Sequence, residues 1–140
     1  MATHNFEKFR KICSQISFSM PSSYQWQWDQ RFQVALIVFE KEERESVLSV
    51  LTHEFDQQWD STTIGNASYL VGEVVSSLFG ILPGQLLFTS EAGAGLLLLA
   101  AWWPWDNGNN ISLRIGIFCL EEHPFEKDKR KEQLSEWLNL

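Results

Sequence analysis

Residues 95–120 constrain the fold of this chain more than any other stretch. Two apolar arms, Gly-Leu-Leu-Leu-Leu-Ala-Ala-Trp-Trp-Pro-Trp and Ile-Ser-Leu-Arg-Ile-Gly-Ile-Phe-Cys-Leu, flank Asp-Asn-Gly-Asn-Asn. An Asn-Gly pair between two such arms predicts a β-hairpin, because both residue types tolerate the positive φ that a tight turn needs. The first arm is apolar at nearly every position instead of every second one. That pattern predicts a strand buried on both faces, so a sheet built on it needs a cover on each side.

Centring the turn on Asn107 and Gly108 fixes the pairing. Leu97 then faces Phe118, Leu99 faces Gly116, Ala101 faces Arg114, Trp103 faces Ser112 and Trp105 faces Asn110. The alternate set, Leu98, Ala100 and Trp102 against Ile117, Ile115 and Leu113, is uniformly apolar and is expected to be the main core. The first set is mixed. Leu97, Leu99, Trp103, Trp105 and Phe118 stand among Ser112 and Arg114, with Arg114 diagonal to Trp103, where a cation–π contact is expected. An apolar strip edged by polar groups and carrying Trp and Arg has the composition of an interface. Leu97, Leu99, Trp103, Trp105, Ser112, Arg114 and Phe118 are therefore the candidate partner-binding residues. The cover expected for this face is either the last helix, through Leu134, Trp137 and Leu138, or another molecule.

The remaining sequence supplies the other elements. Phe6, Phe9, Ile12, Cys13 and Ile16 recur at helical spacing over residues 5–17. Residues 24–29 alternate aromatic and polar, and residues 32–39 are almost continuously apolar, which predicts a first strand pair. Residues 40–55 carry a stripe of Val47, Leu48, Val50, Leu51 and Phe55. A polar connection follows to residue 65. A second helix is expected over 66–79, with Asn66 as N-cap, Tyr69, Leu70, Val74, Leu78 and Phe79 inward, and Gly80 ending it. Residues 85–91 form a third strand before the hairpin, and Pro124 opens a last helix with Phe125 among its inward residues.

The expected order is α-ββ-αα-βββ-α. It defines an α+β fold with a mainly antiparallel sheet of about five strands and packed helices, in one domain over residues 1–140. This order is similar to that of the profilin-like and roadblock-like scaffolds. The resemblance is one of topology, and such scaffolds host many functions, so it implies none.

Composition removes several function classes. The 140 residues carry 18 acidic and 11 basic side chains, a net charge of −7. That balance argues against nucleic acid, whose phosphates call for a basic patch, and against anionic membrane surfaces. The longest apolar run, residues 93–103, is about half the ~20 residues of a membrane span. Residues 1–11 lack an apolar core, so a secretory signal is not expected there. The expectation is a cytoplasmic protein with Cys13 and Cys119 as reduced, buried thiols.

Catalytic signatures are missing. His53-Glu54 begins a zinc-helix pattern that fails at Gln57, where a second His would stand. Cys119 and His123 are four apart with no second pair to complete a metal site. The glycines of 91–95 lead into a strand and lack the Lys-Ser/Thr of a phosphate loop. No metal or cofactor is expected. The reading that follows is a small acidic protein-binding module (an adaptor, a dedicated chaperone or an immunity-type inhibitor) that contacts a protein partner or a second copy of itself as a homodimer. The alternative is a small-molecule-binding domain or enzyme, with a pocket between sheet and helices lined by Cys119, His123, Arg114 and Trp103.

Overall fold

The computed structural model of the protein describes residues 2–93, 95–120 and 124–140, with side chains for all of these except 2–5 and 124–128. His123, expected beside Cys119, and the side chains of His4 and Phe125 lie outside the described residues.

An antiparallel sheet of six strands forms the middle layer: β1 (Gln27–Asp29), β2 (Val34–Glu40), β3 (Gln57–Trp59), β4 (Leu86–Gly93), β5 (Leu96–Pro104) and β6 (Asn110–Cys119). Their spatial order is β1-β2-β6-β5-β4-β3. The strand beyond the expected five is β3, a three-residue edge strand within the polar connection after residue 55. Its Trp59 indole donates to Thr89 Oγ1 of β4 at 3.0 Å.

The hairpin pairing follows the sequence reading, from Leu97 opposite Phe118 to Trp103 opposite Ser112. The turn is longer than two residues. Trp105 N–H donates to the Asn110 carbonyl at 2.8 Å, and Gly108 N–H donates to the Trp105 carbonyl at 3.1 Å, leaving residues 106–109 as the loop. Lengthening a loop by two residues preserves strand parity, so both faces keep their assigned side chains.

Three helices cover one face. The first, α1 (Ala2–Ser19), buries Phe9, Ile12, Cys13 and Ile16, spaced as successive turns of one stripe. The second, α2 (Arg44–Glu54), follows a 3-10 turn at Lys41–Glu43 and buries Val47 and Leu51, with Phe55 just beyond its end. The C-terminal helix (Pro124–Leu138) buries Leu134, Trp137 and Leu138. Against them the sheet presents Ala35, Ile37, Phe39, Phe88, Leu98, Ala100, Trp102, Leu113, Ile115 and Ile117 as one continuous core.

Part of the second face is covered by the chain itself, though not by the C-terminal helix, the cover within the chain that the sequence offered. The helix between β3 and β4, α3 (Tyr69–Ser77), lays Val71 and Val74 on Leu87, Leu97, Leu99 and Ala101. The C-terminal helix is committed to the other face, where Trp137 packs on Phe6 of α1 with ring centroids 6.3 Å apart. In chain order, the C-terminal helix is therefore α4.

Helix α3 also corrects the assigned ends. Its N-cap is Ser68, not Asn66; Ser68 Oγ accepts from Val71 N–H at 3.3 Å, while Asn66 closes a preceding 3-10 turn. Tyr69 and Phe79 point to solvent, not inward. A nine-residue helix offers about one apolar stripe to a sheet, and Val71 and Val74 already fill it.

Candidate functional site

Helix α3 covers β4 and β5 but leaves β1, β2 and the adjoining edge of β6 partly open. The organising residue there is Asp29, at the end of β1. Its Oδ1 accepts the backbone N–H groups of Arg31 (2.9 Å) and Phe32 (3.3 Å), which shapes the connection into β2. Its Oδ2 accepts from Arg114 Nε at 2.7 Å. Burial by itself pushes the Asp29 carboxyl up. The Arg114 hydrogen bond and charge, with the Phe32 and Arg31 amides, outweigh it and hold the group below the usual carboxylate range.

The turn that Asp29 fixes turns Phe32 onto the second face. Sequence reading places Phe32 in the strand; instead it precedes β2, and Gln33 takes a φ of 57° between them. The Phe32 ring meets Trp103 edge to face at 5.4 Å and Phe79 at 6.1 Å. Arg114 stacks 4.5 Å over the Trp103 ring, the diagonal contact expected from the register, and 5.6 Å from Phe32. Arg31 lies over both Phe32 and Phe79. The result is a cluster of alternating guanidinium and aromatic groups at the margin of α3.

The seven sequence-predicted residues divide by position. Leu97 and Leu99 are buried beneath α3 and do not reach solvent. Ser112 is buried too, beneath Trp105, whose indole donates to Ser112 Oγ at 2.6 Å. Phe118 is half-buried against the α3 cluster. Trp103 and Arg114 are half-buried in the aromatic–arginine cluster, and Trp105 is exposed. The structure therefore brings Trp103, Arg114 and Trp105 to the open margin of the face.

Sequence reasoning assigned no role here to Leu36, Val38, Arg31 or Phe79, which complete this margin. Leu36 and Val38 of β2 pair with Arg114 and Ser112 of β6 and so share their face. Val38 is 42% exposed, although it sits inside an apolar strand. Together with Ser23, Tyr24, Gln25 and Gln27 they line a concavity of about 240 Å³ beside β1. Arg31 comes from a loop outside any periodic segment, and Phe79, read as an inward residue of the 66–79 helix, comes from that helix's end. The available signals were Asp29 two residues before Arg31, an Asx-turn pattern, and Phe79 directly before Gly80.

Among the described residues, no group of three His, Cys, Asp or Glu side chains converges as a metal site. His53 is exposed and lies 2.9 Å from its neighbour Glu54. Cys13 is buried in the core, and Cys119 is half-buried. The gap between α3 and Trp103 encloses about 10 Å³, room for at most one water. No helix of the described residues is long and apolar enough to cross a membrane. Comparison with known proteins finds no matching family, no matching curated protein and no matching solved structure.

Proposed function

We propose that this chain is a protein-binding module, of the adaptor, dedicated-chaperone or immunity-inhibitor kind, and that it binds through the open margin of its second sheet face. The contact surface is Trp105, Val38 and Leu36, bordered by Trp103, Arg114, Phe32 and Phe79. The observation that carries this reading is the placement of exposed Trp105 and Val38 beside a built aromatic–arginine cluster, on a face whose remainder is closed by α3. Trp and Arg dominate interface energetics because they bury large area while keeping a polar handle. The second cover that the sequence calls for is then needed over a few strands only, as a partner would supply it.

The test is capture by immobilised protein with crosslinking, comparing wild type with Val38→Asp and Trp105→Ala, each checked for native circular dichroism. A partner retained by wild type and lost by at least about tenfold on both variants is the expected result. Equal capture by all three proteins would place the contact elsewhere. Solution mass measured in parallel separates a foreign partner from a homodimer.

A further inference from the structure

Of the two arginines in the cluster, Arg114 is committed to Asp29 and Arg31 is not. Arg31 is exposed, and among the described residues its guanidinium has no ion pair and no hydrogen bond. Its contacts are the faces of two rings, Phe32 at 5.1 Å and Phe79 at 5.6 Å. Contact with ring faces uses none of the five N–H donors of a guanidinium, so they stay available to an acceptor.

A second observation falls at the same place. Phe79 adopts a φ of 65° at the end of α3. Its N–H bonds the Ser76 carbonyl at 3.2 Å, and the Gly80 N–H bonds the Val75 carbonyl at 2.8 Å, the paired bonds of a Schellman ending. The left-handed position in that ending suits glycine, and a β-carbon there is strained. Burial does not offset the strain, since Phe79 is 75% exposed. Strained residues held by their surroundings concentrate at ligand sites.

The geometry points to an acidic segment of a partner protein as the occupant: a carboxylate paired to Arg31, with a neighbouring apolar side chain against the rings of Phe32 and Phe79. This rests on the protein-binding reading of the same surface. Charge supports it. Asp29 and Arg114 neutralise each other, so Arg31 is the unbalanced charge of the cluster, in a chain whose net charge is −7. Charges elsewhere on the chain are screened beyond roughly 8 Å at physiological salt, so the local cation decides the contact. A carboxylate is the acceptor that matches the paired N–H donors of a guanidinium.

A random-peptide display library selected on the immobilised full chain tests this directly. The expected outcome is a consensus of Asp or Glu beside an aromatic or aliphatic residue. Synthetic peptides carrying it should bind about tenfold more weakly to Arg31→Glu, and replacing their acid by Lys should restore binding to that variant. Phe79→Gly, which keeps the helix ending and removes the ring, should weaken them severalfold. Enriched peptides without an acid, or indifferent to Arg31→Glu, would overturn the acidic-segment inference and leave protein binding standing. No enrichment above an unrelated protein would overturn both. A homodimer that Arg31→Glu dissociates would replace the acidic partner with a second copy.

Discussion

Arg114 Nε donates to Asp29 Oδ2 at 2.7 Å, so a residue of β6 and a residue of the edge strand β1 are joined over the strand that separates them. The bond spans β2 on the open face and fixes the two ends of the aromatic–arginine cluster relative to each other. Both side chains are mostly sheltered from water, which keeps the pair from being a surface ion pair of negligible worth.

Asp29→Asn should therefore destabilise the protein by about 1–3 kcal/mol in urea unfolding at neutral pH, the cost of a part-buried charge losing its partner. The pH dependence has a definite sign. The folded-state value lies below the ordinary 3.8, so the stabilisation is complete above that ordinary value and is lost as pH falls through the lowered one. The gap between wild type and Asp29→Asn should stay constant from about pH 8 to pH 5 and shrink only at more acid pH. A gap already closing near pH 6 would contradict this assignment.

Phe79→Gly should raise stability, by about 0.5–1 kcal/mol, because glycine takes the left-handed position of the α3 ending without a β-carbon clash. The ring it removes is mostly exposed, so little burial is lost. A lowered midpoint in chemical unfolding would show that the Phe32 and Arg31 contacts of the ring outweigh the backbone strain.

Gly116 marks a close approach between β6 and β2. A β-carbon there would run into Val34 Cγ1. Gly116→Ala is expected to cost about 1–3 kcal/mol by overpacking. Combined with Val34→Ala it should cost less than the sum of the two single changes, a coupling that a double-mutant cycle reads directly. Strict additivity would mean that the strands separate without involving Val34.

Burial pushes the Cys13 thiol far above its ordinary range. In a Cys119→Ser background, Cys13 should resist an aromatic disulfide reagent near pH 8 and react only as the protein unfolds in urea. Rapid modification of the native protein would show that α1 opens locally from the sheet.

The hairpin was legible because strand parity survives a change of two residues in the loop, so the register read from Asn107-Gly108 holds although the turn is wider. The main core was legible for a related reason: Phe9, Ile12, Cys13 and Ile16, like Leu98, Ala100 and Trp102, follow a period that one face imposes. The choice between α3 and α4 as the cover was not legible. Each has a short apolar stripe, and what separates them is tertiary: Trp137 finds Phe6 on α1, while Val71 and Val74 find Leu97 and Leu99. Three-residue β3 carries too little pattern to show a period. The site was half legible. Trp103, Trp105 and Arg114 come from the hairpin, but Arg31 lies in a side-chain-capped turn without periodicity, and Phe32 and Phe79, read as part of a strand and of a helix stripe, reach the same place only because that turn and the helix ending redirect them.

The position of β5 has a consequence for the solubility of the whole chain. Leu96–Pro104 is the longest strand of the sheet without a charged side chain, the kind of apolar segment that templates cross-β stacking when its backbone is left open. It is flanked by β6 and β4, with β2 and β1 beyond on one side and β3 on the other. Both outermost strands are three residues long and include Gln or Asp. An incoming strand therefore meets only a short polar border, and the sheet resists growth from either side.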